Sequence, residues 1–200
     1  MCEPRCISID KEKITIDNGE LKRRLSVSKE FDVSAFDGYV QRMLKECTPK
    51  ACFVRVPVSV DESGAAFPFG RVESRDLAKN LCGCSEAFVF AVTLGHGCER
   101  FLSKVSHLSA ADFFVYDAIG SSLAESVCDE AERIIKGSLE CKPRFSPGYG
   151  DFPLENQREV LSYLGAEKHL GITLTESKLM IPQKSITAIL AVNQESGMRN

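Results

Sequence analysis

The stretch Ala87-Phe88-Val89-Phe90-Ala91-Val92-Thr93-Leu94 constrains the fold of this chain more than any other. It is apolar without alternation, so the strand it forms must be covered on both faces, and that predicts a place at the centre of a sheet. The material for such a core is present. Two hundred residues with 44% apolar content can bury it as one domain, or as one domain with a small appendage.

The dominant helix is predicted over Ala110 to Lys136. There Phe113, Phe114, Asp117, Ala118, Ser121, Ala124, Cys128, Ala131 and Ile135 follow the helical period, with acids on the other side. Gly120-Ser121-Ser122 in its middle suits close approach by a neighbour or a ligand, or a break into two helices. Ile7 to Ile16 reads as two short strands or a hairpin, and Asn18-Gly19 as a turn. Apolar spacing over Phe31 to Leu44 predicts a helix started near Asp32 or Ser34. Ala51 to Val60 alternates like a half-buried strand that Pro57 demotes toward an edge, with a turn over Asp61 to Ala65. Ser74 caps a helix through Leu81, and Gly95-His96-Gly97 leads into another over Cys98 to Val105. Pro153 opens a helix to about Leu164, with Gly165 as its stop. Gly171–Thr175 and Ser185–Val192 read as strands forming a hairpin around Met180-Ile181-Pro182.

Charge and composition narrow the function. Twenty-five basic residues against 28 acidic ones, with no basic stripe among aromatics, argue against nucleic acid. No apolar run reaches the ~20 residues a bilayer-spanning helix needs, and Met1 to Cys6 lacks the apolar core of a signal peptide. The expected location is therefore the cytoplasm. Nine cysteines, an odd count without an export signal, read as reduced thiols. The alternative is a metal or redox role, with Cys82 and Cys84 the best placed for it. Cys128, on a helical apolar face, reads as a small hydrophobe. Gly95-His96-Gly97 lacks the full dinucleotide fingerprint and reads as a compact strand-to-helix turn. His96 lines a pocket or simply sits in that turn; His107 and His169 read as surface residues.

The segment Arg144-Phe145-Ser146-Pro147-Gly148-Tyr149-Gly150-Asp151-Phe152 has no hydrophobic period to explain it. Pro147 presets its φ and Gly148 can take positive φ, so Ser146 to Tyr149 predicts a tight turn. Such a turn holds Arg144 and Tyr149 against one small volume, as a grip on a small zwitterion requires: Arg for a carboxylate, backbone for polar edges, a ring for a heterocycle. An ordinary surface turn is the competing reading. Two carboxylates invite a role beside it. Glu125 lies just beyond the small residues of the long helix, and Glu176 ends a buried-looking strand. Each also has a plainer reading, Glu125 on a solvated helix face and Glu176 paired with Lys178 or Lys184.

R-x-x-x-G-Y at Arg144 to Tyr149 resembles the activation domain of cobalamin-dependent methionine synthase. Gly171-Ile172-Thr173-Leu174-Thr175-Glu176-Ser177, then Met180-Ile181-Pro182 and Ser185-Ile186-Thr187, resemble that family's L-T-E-S…M-x-P…S-[IV]-[ST] region. Leu123-Ala124-Glu125 is similar to its L-A-E helix. The similarity runs from about Phe88 to Val192. It implies an α+β fold: one C-shaped or helmet-like domain with a bent, mainly antiparallel central sheet and helices on its outer side. Residues 51–193 would form the activation-like domain, 1–50 an accessory part, and 194–200 a flexible tail.

By the same resemblance S-adenosylmethionine is the ligand, held by Arg144, Ser146, Gly148, Tyr149, Glu125 and Glu176. Arg144 would pair with its carboxylate and the Ser146 backbone would meet its adenine. No catalytic residue and no metal ligand of the chain's own is implied. No D-x-H-x-x-G sequence is present, so cobalamin would come only through a partner chain. The resemblance implies as that partner a corrinoid protein or a truncated methionine synthase, with a flavodoxin-type electron donor beside it. The implied function is an activation subunit presenting S-adenosylmethionine for reductive methylation of cob(II)alamin. Its rivals are a non-enzymatic sensor or adaptor on a corrinoid protein and a stand-alone small-molecule methyltransferase. Two departures stand out: the family's I-D-W-T-P aspartate has no counterpart, and Ile189-Leu190-Ala191 replaces its aromatics.

Overall fold

The computed structural model describes residues 3–193; the tail expected over 194–200 lies outside them. In chain order the elements are β1 (Arg5–Ser8), α1 (Asn18–Arg24), α2 (Asp37–Glu46), β2 (Lys50–Pro57), β3 (Ser59–Val60), β4 (Gly64–Phe67), β5 (Gly70–Glu73), α3 (Arg75–Leu81) and β6 (Glu86–Thr93). There follow α4 (His96–Leu108), α5 (Ala110–Lys136), α6 (Gln157–Tyr163), α7 (Ala166–Leu170), β7 (Thr173–Leu174), β8 (Met180–Ile181) and β9 (Ser185–Ala191).

β6 is interior, as its unbroken apolar run demands. The main sheet has the order β1-β2-β6-β9, and every pairing in it is antiparallel. Alternate β6 side chains serve different cores. Phe88, Phe90 and Val92 join Ala188 and Leu190 of β9 under α4 and α5, through Phe101, Leu102, Ile119, Leu123 and Val127. Val89 and Ala91 face the other way, with Val54 and Val56 of β2, Leu77 and Leu81 of α3, Val160 of α6 and Leu170 of α7. Helices therefore cover both faces of the sheet, not an outer side alone. A strand sandwiched in this way stabilises the fold mainly by apolar area removed from water.

The long helix is continuous from Ala110 to Lys136. Ser109 caps it by accepting from the Asp112 amide at 3.1 Å. The small residues in its middle admit a neighbour instead of breaking it: a Cβ on Gly120 would lie 2.8 Å from the Met43 Cε of α2 and 3.2 Å from Lys184. At the head of α4, a Cβ on Gly97 would lie 2.1 Å from the Glu46 carbonyl. That glycine lets α4 press against the end of α2, as expected of a compact turn.

Several local expectations are corrected. Ile7 to Ile16 supplies only β1; Asp10 then caps a 3-10 turn over Lys11–Lys13. Asn18-Gly19 opens α1 because Asp17 accepts from the Glu20 amide at 2.6 Å, so a turn dipeptide becomes a first helical turn. β2 lies inside the sheet, and Pro57 is tolerated because the β1 partner ends opposite Phe53. The β4–β5 hairpin and α7 were not anticipated. β9 pairs with β6, and the hairpin around Met180 is formed by β7 with β8. The first 50 residues share the main core: β1 pairs across residue 50 with β2, and Leu21 and Met43 are buried beneath α5.

Leu123 is fully buried while Leu108 is exposed. Leu123→Ala should therefore lower unfolding stability by about 2–5 kcal/mol, against less than about 0.5 kcal/mol for Leu108→Ala. Urea denaturation with matched slopes checks both.

Candidate functional site

The site begins where the chain leaves α5 and returns along the outer edge of β9. Cys141 and Phe145 bridge to Val192 and Ile189, and the Phe145 amide and carbonyl exchange bonds of 2.9 and 2.8 Å with Ile189. This short extended stretch sends neighbouring side chains to opposite faces. Phe145 joins the core beneath α6, whereas Arg144 reaches α5. There it donates to Asp129 at 2.6 Å, Glu125 at 3.0 Å and Glu132 at 3.1 Å. Glu125, Asp129 and Glu132 lie one turn apart on one helix face, which is why a single guanidinium spans all three. Burial works against the charge on Arg144, but its acidic surroundings prevail and hold its pKa above the ordinary arginine range. Burial pushes the nearby Cys128 thiol up to about 12, so it remains the small hydrophobe expected of it.

The turn that follows is rigid. The Gly148 amide donates to the Phe152 carbonyl at 2.8 Å and the Tyr149 amide to the Ser146 carbonyl at 3.0 Å. Gly148 adopts φ +92 as predicted. Phe152 is buried and stacks on Phe145 with ring centroids 6.3 Å apart. Asp151 fastens the turn to the start of α3, accepting from Ser74 Oγ and from the Arg75 and Asp76 amides at 2.9 and 3.1 Å. Those bonds hold its carboxyl below the ordinary aspartate range, the Ser74 hydroxyl contributing most. Gly150 allows the approach, since a Cβ there would lie 2.4 Å from Asp76 Oδ2. Ser146 is buried, and Tyr149 stays half exposed with its ring edge-on to Phe145.

The predicted site residues are thus divided. Arg144 and Glu125 are brought together directly. Ser146, Gly148 and Tyr149 share the turn, where Tyr149 packs edge-on to Phe145 while Arg144 turns to the acids of α5. Glu176 is elsewhere. It lies exposed in the turn between β7 and β8, which leans on α6 through a Gln157 Nε2 bond to the Lys178 carbonyl at 3.0 Å. β7 is too short to bury a residue at its end, and Arg144 pairs with Glu125, Asp129 and Glu132, not with Glu176. Lys184, offered as a partner for Glu176, bonds Asp117 at 2.7 Å and Ser121 at 2.8 Å instead.

Asp129, Glu132 and the Asp151 anchor were missed from the sequence. The i, i+4, i+7 spacing of Glu125, Asp129 and Glu132 was the available signal for the first two. His96 lines a hollow of about 300 Å³ with Lys45, Lys50 and Arg100, and its Nε2 lies 3.0 Å from the Gly171 carbonyl. Cys82 is exposed and Cys84 buried, on either side of Gly83, so they do not form a joint site. Among the described residues, no group of three or more His, Cys, Asp or Glu side chains could hold a metal ion, and no helix is long and apolar enough to cross a membrane.

A family model described as the activation domain of vitamin B12 dependent methionine synthase matches residues 83–198. The fold is similar to that in a crystal structure of the MetH reactivation domain bound to AdoHcy. The TM-score is 0.70 at 14% sequence identity, covering 98% of this chain and 80% of that one. No curated protein sequence matches the chain significantly.

Asp151 supplies a pH test of the anchored turn. Its folded pKa is depressed, so its contribution is present above the ordinary aspartate value and is lost as pH falls through the lower folded value. Wild type should lose thermal stability below about pH 4 more steeply than Asp151→Asn, the two being compared by melting curves over pH 2–7.

Proposed function

We propose a function from one premise: the chain belongs to the activation-domain family of vitamin B12 dependent methionine synthase. On that reading it binds S-adenosylmethionine and presents it to a corrinoid cofactor carried by a partner chain, acting in trans as an activation subunit. The observation that carries the proposal is the family match across more than half of the chain, taken with the rigid Arg144–Phe152 turn inside it.

The residues present suit the ligand in charge. S-adenosylmethionine carries a sulfonium and an ammonium against one carboxylate. Around Arg144, three carboxylates (Glu125, Asp129, Glu132) face two cations, Arg144 and Lys136, leaving one negative charge in excess. The ammonium would meet Glu125 and Asp129, and Arg144 would hold the ligand's carboxylate while keeping those acids in place. Ser146 and Gly148 would offer backbone to the adenine, and the half-exposed Tyr149 ring a stacking face. Both groups border β9, Arg144 on one side of the extended stretch and Tyr149 beyond it. Glu176 has no part in this arrangement.

The methyl group and its acceptor cobalt belong to ligand and partner. This chain's contribution is to bind and orient: the Asp151 and Phe152 anchors remove motion from the turn before ligand arrives, which lowers the ordering cost of binding. A flavodoxin-type donor would supply the electron, and a corrinoid protein or a truncated methionine synthase would carry the cobalamin. The expected setting is the cytoplasm, where such partners work.

Calorimetry with S-adenosylmethionine tests the reading. Wild type should bind, Tyr149→Ala should bind about tenfold more weakly with an unchanged melting temperature, and Arg144→Ala should weaken binding further. Absence of heat at millimolar ligand in folded wild type would leave only the adaptor role. Slow methyl transfer to a small molecule with no corrinoid present would instead point to the independent methyltransferase.

A further inference from the structure

We propose that Cys6 and Cys52 form a redox-active dithiol, closed by small-molecule disulfides into a bond that fastens β1 to the central sheet. The two residues are direct cross-strand partners in the antiparallel β1–β2 register. Their sulfurs already lie 2.8 Å apart. Opposed residues of antiparallel strands stand about 4.5 or 5.5 Å apart at Cα. Both spacings fall inside the roughly 4.4–6.8 Å that a disulfide spans, so closure needs rotation of side chains and little backbone movement.

Access is asymmetric in a way that orders the chemistry. Cys6 is exposed on an edge strand, whereas Cys52 is fully buried and donates its thiol to the Leu164 carbonyl at 3.7 Å. Burial, and then the bond to Cys6, push the Cys52 thiol well above the ordinary cysteine range. Cys6 is therefore the group that meets an oxidant. Its thiolate attacks one sulfur of a disulfide RSSR, the S–S bond breaks, RS⁻ leaves and a Cys6–SR mixed disulfide remains. Cys52 then loses its proton, to solvent or to the released thiolate, and attacks the Cys6 sulfur, expelling the second RS⁻. Two protein thiols are oxidised by two electrons and one RSSR is reduced to two thiols. The raised Cys52 thiol makes the second step the slower one.

The bond would close a loop of the N-terminal segment that includes α1 and α2, both of which pack against α5. β1 itself is held weakly, its four side chains being mostly exposed. The other close pair, Cys47 and Cys98, is fully buried on both members and serves as an internal control.

The experiment treats folded protein with excess oxidised glutathione, alkylates the remaining thiols and digests with trypsin. Cys6 and Cys52 fall alone in the peptides Cys6–Lys11 and Ala51–Arg55. Expected is a covalent link between these peptides that dithiothreitol reverses, with Cys47 and Cys98 left reduced. Cys52→Ser should stop at a glutathione adduct on Cys6, and Cys6→Ser should leave Cys52 unmodified. Recovery of wild-type protein as the Cys6 adduct with Cys52 still alkylated would overturn the proposal. So would recovery of both peptides singly alkylated, or a link from Cys6 to the Cys2 peptide.

Discussion

Burial of β6 on both faces is the constraint from which the rest of this structure follows. A strand with no polar face cannot lie at an edge or under solvent, so it needs a partner on each side and a layer above and below. β2 and β9 supply the partners. α5 and α4 supply one layer, and α3, α6 and α7 with the small hairpins supply the other. Interiors packed this tightly transmit position with little slack, which makes the edge of β9 a stable place from which to hang a loop.

That edge is where the chain turns its fold into a site. The stretch ending at Phe145 borrows two backbone bonds from Ile189 and splits its side chains between the layers. Arg144 goes to the acids of α5, and Phe145 goes with Phe152 to the opposite core. The turn between them is then pinned from outside by Asp151 at the start of α3. Each anchor uses a different element, so the turn's position averages over α3, α5 and β9 and depends on no single contact. The Arg144 cluster and the turn are both held by the chain's own residues.

Much of this was legible in the sequence where periodicity is strong. The central strand, the long helix, the Ser74-capped helix and the Pro147-Gly148 turn follow from patterns of a single element. What failed depends on tertiary partners. Asn18-Gly19 reads as a turn until Asp17 is seen to cap it. Ser185–Val192 reads as the mate of the nearer strand, but β6 offers a longer apolar edge and pairs with it instead. Gly171–Thr175 reads as a strand that ends at a buried Glu176, but only Thr173–Leu174 forms β7 and Glu176 lies exposed in the turn after it. The engagement of Arg144 was hidden for a similar reason: the acids that occupy it lie twelve to nineteen positions earlier, and a helix had to be folded back before they could meet.

The consequence for the proposed site is electrostatic. An arginine alone would favour any carboxylate, including neutral amino acids. Surrounded by Glu125, Asp129 and Glu132, it no longer presents net positive charge, and the cluster as a whole favours a ligand with net positive charge. S-adenosylmethionine has that charge and its demethylated product does not, because loss of the methyl group removes the sulfonium. The same acids that weaken Arg144 as a carboxylate trap therefore give the site a reason to hold the methyl-bearing form and release the spent one. The contrast is modest, since Asp129 is largely exposed and water screens it. It acts in the direction a methyl-presenting unit requires.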